Sequence, residues 1–115
     1  MNENKRVIVF DDDKEFLDLM DITLNLLGYT PDLHPMYDFV PTEENTLDVL
    51  AFMCDYNCPP VNGEHFVREY SHILKPSRTI LTSSSFDKTG VQGFELYKPF
   101  MQKALEDLLV YMKKQ

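Results

Sequence analysis

Compact apolar runs alternate along the chain with segments whose apolar residues recur every three or four positions. The compact runs lie at residues 7–10, 48–54, 79–81 and 94–97. They lack the polar alternation of half-exposed strands, which is typical of strands buried on both faces of a parallel sheet. A further short strand is expected at Thr30–His34. The pattern therefore predicts five strands.

Three segments carry apolar residues at helical spacing: 14–27, 64–74 and about 100–112. Gly28 follows the first segment and Pro76 the second, as expected just beyond helix ends. In the last segment the predicted core-facing residues are Met101, Ala104, Leu105, Leu108 and Met112.

The sequence between the second and third predicted strands is irregular. Prolines at positions 35 and 41 interrupt any long element there. A helix around 37–46 is therefore expected to be short or distorted. We expect His34, at the start of this region, to be a surface residue rather than a metal ligand.

Alternating strands and helices predict an α/β fold in which a parallel sheet is covered by helices on both faces. In such a sheet the carboxyl ends of all strands lie at one edge, where open α/β sheets bind their ligands. The polar residues expected to meet at this edge are Asp11, Asp12, Asp55, Thr82 and Lys98.

Composition narrows the class of protein. At 115 residues the chain is long enough for one domain, which we expect to span residues 1–115. No apolar run has the length of a membrane span, and the first residues are no secretion signal, so we expect a cytoplasmic protein. The net charge of −8 argues against binding to nucleic acid or to an anionic membrane. Cys54 and Cys58 are too few for a disulfide framework and are expected to be reduced and packed.

The polar edge has the groups that phosphoryl transfer needs. Asp13 is placed to cap the following helix, but capping does not explain Asp11 and Asp12. Carboxylates crowded together favour a divalent cation with hard oxygen ligands, such as Mg²⁺. Asp55 could act as a nucleophile that forms an aspartyl phosphate, while Lys98 neutralises negative charge.

At these positions the chain resembles the receiver domains of two-component response regulators, over nearly its full length. The matching residues are Asp11, Asp12, Asp55, Asn57, Pro59, Gly63, Thr82, Ser83 and the run Lys98-Pro99-Phe100. The resemblance implies a flavodoxin-like doubly wound sheet with strand order 2-1-3-4-5. It also implies phosphorylation of Asp55 with the help of Thr82 and Lys98. Mg²⁺ would be held by Asp11, Asp12, Asp55 and the Asn57 carbonyl, and the Lys98–Pro99 bond would be cis.

We expect a stand-alone receiver without an output domain attached. A histidine kinase or phosphotransfer protein would donate the phosphoryl group, and a downstream protein would respond to it. Such a chain is not an enzyme beyond its own phosphorylation and dephosphorylation.

Two departures from the family pattern affect the expected signalling. Glu95 stands where receivers usually carry an aromatic switch residue. Only about ten residues, 84–93, remain for the crossover before the last strand, fewer than a helical crossover normally uses. The helix of this crossover is therefore expected to be absent or reduced to one turn. The chain would then contact its partner protein through another face, around the first helix or residues 35–46.

Two alternative functions remain open from the sequence. The chain could be a pseudo-receiver, an interaction module that works without phosphorylation, which Glu95 and the irregular 37–46 region favour. The segment from Val7 to Asp13 also resembles the first motif of haloacid-dehalogenase-type phosphatases. No suitable acidic motif follows Lys98 apart from Glu106 and Asp107 in the last helix, which argues against that reading.

Overall fold

The structure is a computed structural model that describes residues 4–84 and 93–115. The strands and α-helices in these residues are β1 (Arg6–Phe10), α1 (Lys14–Leu26), β2 (Thr30–His34), β3 (Val49–Asp55), α2 (Gly63–Glu69), β4 (Thr79–Ser83), β5 (Phe94–Tyr97) and α3 (Gln102–Lys113). All five strands pair in parallel, in the order β2-β1-β3-β4-β5. The predicted doubly wound five-stranded sheet is confirmed.

Alternate side chains of the central strands supply two hydrophobic layers. Val7 and Val9 of β1 pack on one face of the sheet with residues of α1 and α3. Ile8 and Phe10 pack on the other face with α2. Every residue of β3 is buried, because this strand has paired neighbours on both sides and helices above and below. This burial explains its continuous apolar sequence.

Both ends of α1 are fixed by local hydrogen bonds. The Asp13 carboxylate accepts from the first turn of the helix, as predicted. Gly28 has a φ of 91°, and the next amide, that of Tyr29, donates to the Leu24 carbonyl at 2.8 Å. This arrangement is a Schellman motif, in which glycine avoids the strain of a left-handed backbone. The cap occupies Asp13 and leaves Asp11 and Asp12 for another role.

The second helix is shorter than the predicted 64–74. It ends at Glu69, and Tyr70 has the non-helical φ of −113°. Ile73 and Leu74 are nevertheless buried, and both amides donate to the Tyr70 carbonyl. The spacing of apolar residues indicates which residues are buried but not whether they lie in a helix. Here a compact turn buries Ile73 and Leu74.

The core-facing side of α3 also differs from the prediction. Met101 precedes the helix at its N-cap position and is 76% exposed, and Ala104 is exposed too. The buried residues are Leu105, Leu109 and Met112. Met101 is exposed because it precedes the helix, whereas Ala104 lies about 100° around the helix from Leu105 and so outside the core-facing stripe. The assignment of both residues to the core was wrong.

Residues 35–46 contain no α-helix, which agrees with the expected irregularity. Their regular structure is one 3-10 turn at Glu44–Thr46. Thr42 and Asn45 exchange hydrogen bonds between side chain and backbone at 3.0 and 2.8 Å. This reciprocal pair has the pattern of a capping box, and it opens the short 3-10 turn.

His34 is not the surface residue that we expected. Its side chain is only 17% exposed, and its ring lies 5.2 Å from the Phe10 ring. The ring nitrogens lie 2.9 Å from Asp32 and 2.8 Å from Asp38. The apolar body of the imidazole covers the aromatic end of β1, and its polar atoms face carboxylates.

The expected loss of the crossover helix between Ser84 and Gly93 falls on residues 85–92, which lie outside the described residues. Within residues 4–84 and 93–115, no helix is long and apolar enough to cross a membrane. Cys54 and Cys58 are both free and buried, as predicted.

Candidate functional site

The pairing register of the sheet brings the predicted polar residues to one edge. Phe10 of β1 pairs with Cys54 of β3. Asp11, the residue after β1, therefore lies level with Asp55, the last residue of β3. Asp55 in turn pairs with Thr82 of β4. Lys98 directly follows β5, and its amide donates to the Ser83 carbonyl at 2.8 Å. Four strand ends therefore contribute to a single site.

Three carboxylates form a compact acidic cluster at this edge. One oxygen each from Asp11, Asp12 and Asp55 lies within 4.8 Å of the others. Asp11 is completely buried and accepts from the Asp13 amide at 2.9 Å, whereas Asp12 is exposed. The cluster thus has one fixed buried member and one that solvent can reach.

Among the residues that the structure describes, Lys98 is the cation that faces this cluster. Its ammonium group contacts the Asp11 carboxylate and lies 3.4 Å from the Asp55 Oδ1 atom. The same ammonium lies 4.4 Å from the centre of the Phe16 ring, within cation–π distance. Burial lowers the pKa of Lys98, but the two carboxylates outweigh burial and raise the pKa above its usual value. Lys98 is therefore charged at neutral pH.

Asp55 carries a charge that its surroundings only partly compensate. Burial raises the pKa of its carboxyl group, and the neighbouring Asp11 raises it further, whereas Lys98 lowers it. The net direction is upward. A second positive charge at this site would favour the ionised form of Asp55.

A cavity of about 690 Å³ opens onto the acidic cluster. Its polar lining residues are Asp11, Asp12, Asp13, Glu15, Asp55, Asn57, Ser83, Ser84 and Lys98. Apolar residues Phe16, Leu19, Met20, Pro99 and Phe100 form the remaining wall. The Lys98–Pro99 peptide bond is cis, as the resemblance implied.

Of the three hydroxyl residues Thr82, Ser83 and Ser84, at the end of β4 and just beyond it, two line this cavity. Thr82 is buried and pairs with Asp55, and its carbonyl accepts from the Tyr56 amide at 3.0 Å. It is not among the residues that line the cavity, whereas Ser83 and Ser84 are. The sequence had singled out Thr82 as the hydroxyl residue of the site, whereas the serines that follow it line the cavity.

The donor set at the edge suits Mg²⁺. Carboxylate oxygens are hard ligands, and Mg²⁺ is commonly held by one or two carboxylates together with phosphate and water. Asp11, Asp12 and Asp55 supply three carboxylates, and Asn57 lines the same cavity. Because Asp12 is exposed and the cavity is large, water molecules have room to complete the coordination.

The backbone of Asp55 is held from behind by two residues. The Tyr37 hydroxyl donates to the Asp55 carbonyl at 2.6 Å. Gly63, the first residue of α2, is so close that an added Cβ would lie 2.6 Å from the same oxygen. The glycine predicted by resemblance is therefore required by close packing against Asp55.

Sequence reasoning missed Phe16 and Tyr37 as neighbours of the site. Phe16 lies at helical spacing in α1, which indicates burial but not contact with Lys98. Tyr37 lies in the irregular region, where no periodic pattern indicates which way a side chain points.

Comparison with known proteins gives matches in structure but not in sequence. No protein-family model matches the chain, and no curated protein matches it. A response regulator receiver domain from Clostridium thermocellum superimposes with a TM-score of 0.76 at 17% identity, over 96% of this chain and 94% of that one.

Two further solved structures show the same similarity. The receiver domain of the hybrid histidine kinase CckA has a TM-score of 0.77 at 16% identity, covering 93% of this chain and 97% of its own. A probable two-component response regulator/GGDEF domain protein has a TM-score of 0.79 at 21% identity. That match covers 98% of this chain and 50% of the larger protein.

These similarities lie at identities that establish the fold alone. They agree with the strand order of the sheet. The chain therefore has the fold of the response-regulator receiver domains.

Proposed function

We propose that this chain is a phosphorelay receiver that accepts a phosphoryl group on Asp55 and signals through contacts with other proteins. The observation that carries the proposal is the meeting of three carboxylates and one ammonium group at a single cavity. Phosphoryl transfer depends mainly on positioning and on compensation of charge, and these groups provide both.

Asp55 is the carboxylate best placed to act as the nucleophile. Both Asp55 and Asp11 line the cavity, but Asp11 is completely buried and already bonded to the Asp13 amide and to Lys98. One Asp55 oxygen attacks phosphorus and forms a new P–O bond. The bond between phosphorus and the leaving atom of the donor breaks, and its electron pair stays with the donor.

Lys98 supports this step by holding a positive charge beside the reacting oxygens. Its contact with Asp11 and its position over the Phe16 ring keep the ammonium near Asp55. In the product, the ammonium would face the added phosphoryl oxygens. Because this positive charge is in place before the reaction, the site need not reorganise to stabilise the transition state, and the barrier is lower.

Mg²⁺ would be held by the carboxylates of Asp11, Asp12 and Asp55, with the Asn57 carbonyl as the fourth protein ligand. When bound, the ion supplies positive charge to phosphoryl oxygens. Ser83 and Ser84 line the same cavity and can donate hydroxyl hydrogen bonds to those oxygens. Thr82 matches the hydroxyl residue of receiver domains at the end of β4. It pairs with Asp55 and would assist the transfer of the phosphoryl group.

The partners implied by this chemistry are a phosphohistidine-bearing kinase or phosphotransfer protein and a downstream target protein. In this role the chain acts in the cytoplasm. Its chemistry is limited to its own phosphorylation and dephosphorylation, without turnover of a separate substrate.

A second candidate function is supported by the residue at position 95. Glu95 is exposed on β5, where an aromatic residue of typical receivers would report the phosphorylation state. A pseudo-receiver would use the same fold to bind a partner protein without phosphorylation. In that case the acidic cluster would remain without phosphate even in the presence of an active donor.

The test compares the wild type with three variants after incubation with Mg²⁺ and acetyl phosphate. Intact mass spectrometry should show the gain of one phosphoryl group on the wild-type chain and none on Asp55→Asn. Asp21→Asn removes an exposed carboxylate from α1 and is the matched control, which should be labelled like the wild type. Labelling that survives in Asp55→Asn but is lost in Asp11→Asn would favour phosphatase-like chemistry. No labelling of the wild type would favour the pseudo-receiver.

A further inference from the structure

The peptide group that follows Asp55 lies just beyond the ladder between β1 and β3. The Tyr56 amide donates to the Thr82 carbonyl of β4 at 3.0 Å. In a strand, an amide and the preceding carbonyl point to opposite sides, so the Asp55 carbonyl points toward β1. The last pair between these strands is Phe10 with Cys54. The sheet therefore leaves this carbonyl to another donor.

Tyr37 supplies the donor from the irregular region. Its hydroxyl lies 2.6 Å from the Asp55 carbonyl oxygen, and the residue is only 7% exposed. Burial raises the pKa of Tyr37, so the hydroxyl remains protonated and can donate. The bond replaces the one that a longer β1 would have made.

The position of the Tyr37 hydroxyl is fixed by packing and by the backbone. The Tyr37 ring stacks on Phe66 of α2 with centroids 4.3 Å apart and contacts Phe10 at 4.7 Å. Its amide donates to the Pro59 carbonyl at 2.8 Å, in the loop that follows Asp55. A side chain held at both its ring and its backbone can in turn hold another group in place.

We propose that Tyr37 is a positioning residue for phosphorylation of Asp55, a role that rests on the proposed function. The direction of the Asp55 carbonyl fixes the ψ angle of Asp55, and the carboxylate leaves the same Cα atom. Without the hydroxyl, the buried carbonyl has lost its donor, and the peptide group can rotate to find another. The Asp55 carboxylate then leaves its place beside the Lys98 ammonium.

The main variant is Tyr37→Phe, which keeps the stacked ring and removes only the hydroxyl. Tyr56→Phe is the hydroxyl control, because the Tyr56 hydroxyl lies 3.4 Å from Glu64 and not on the Asp55 carbonyl. Ile73→Val is the stability control, because it removes one methylene from the same buried cluster. Circular dichroism first identifies a temperature at which all four proteins are folded. Phosphorylation by acetyl phosphate with Mg²⁺ is then followed at that temperature.

Tyr37→Phe should lower the rate at saturating donor by about five- to fifty-fold and leave the half-saturating donor concentration almost unchanged. Both controls should keep the wild-type rate. The carbonyl carbon of Asp55, detected by NMR through the Tyr56 amide, should shift upfield in Tyr37→Phe alone. A variant that merely loses stability would move neither the rate nor this resonance.

Equal rates for the wild type and Tyr37→Phe would overturn the positioning role and leave the proposed function intact. An equal loss of rate in Ile73→Val would also overturn it, because the effect would then follow from stability. A wild-type chain that accepts no phosphoryl group would refute the proposed function, and the positioning role with it. If Tyr37→Phe does not fold, an Asp55 carbonyl resonance in the wild type without a hydrogen-bond shift would overturn the role.

Discussion

Substitution of Gly63 by alanine probes the closest contact behind Asp55. The added Cβ would lie 2.6 Å from the Asp55 carbonyl oxygen and 3.0 Å from the Tyr37 hydroxyl. The first of these atoms belongs to the backbone of a buried strand, and the Gly63 amide is tied to the Tyr56 carbonyl at 2.8 Å. Neither side can retreat easily.

The magnitude follows from the balance of two effects. Overpacking of a buried site costs up to about 3 kcal/mol. Alanine recovers at most about 1 kcal/mol of helix propensity relative to glycine. We therefore expect Gly63→Ala to lower the free energy of unfolding by about 2 kcal/mol. For a domain of this size that corresponds to a fall in Tm of about 6–12 °C.

The matched control is Gly28→Ala, at the C-terminal end of α1. Its φ of 91° strains any other residue, but an added Cβ would meet no atom within 4 Å. The strain costs about 1–2 kcal/mol, so the two variants should lose similar stability. Urea unfolding measures that loss for both proteins.

Phosphorylation separates the two variants. Gly63→Ala should be labelled by acetyl phosphate more slowly than the wild type, because the clash displaces the backbone that carries Asp55. Gly28→Ala should be labelled at the wild-type rate while it is folded. Wild-type stability and labelling in Gly63→Ala would refute the close approach of α2 to Asp55.

Three further predictions concern the charges of the site. Lys98→Met leaves the buried Asp11 carboxylate without its cation and should cost about 3 kcal/mol in urea unfolding; a loss below about 1 kcal/mol would contradict the pairing. Asp55→Asn should raise the Tm in buffer without Mg²⁺, because burial and Asp11 raise the pKa of Asp55 and make its charge unfavourable; a lower Tm would show that Lys98 overcompensates. Millimolar Mg²⁺ should raise the Tm of the wild type by linkage and raise that of Asp12→Ala less. Equal shifts in those two proteins would exclude Asp12 as a ligand.

The strands and the acidic edge could be predicted from the sequence because their signals are local. A compact apolar run that stops at a carboxylate marks both a buried strand and its end, as at Asp11 and Asp55. Parallel pairing then brings the ends together without further information. Lys98 was predicted at this edge in the same way, because it directly follows the last strand.

Features that depend on distant contacts could not be predicted in this way. His34 was assigned to the surface because its cover, the Phe10 ring, lies 24 positions earlier in the chain. Met101 and Ala104 were assigned to the core because spacing alone fixes neither the residue at which a helix begins nor how wide its buried stripe is. The bond from Tyr37 to Asp55 joins an irregular segment to a strand end, and neither composition nor periodicity encodes it.

The most direct test of the central claim is to locate the phosphoryl group on the wild-type chain. After incubation with Mg²⁺ and acetyl phosphate, reduction with borohydride converts an acyl phosphate on aspartate to homoserine, which peptide mass spectrometry can place in the sequence. We predict homoserine at Asp55 and at no other aspartate. Homoserine at Asp11 or Asp12, or a chain that carries no acyl phosphate at all, would contradict the assignment of Asp55 as the phosphoacceptor.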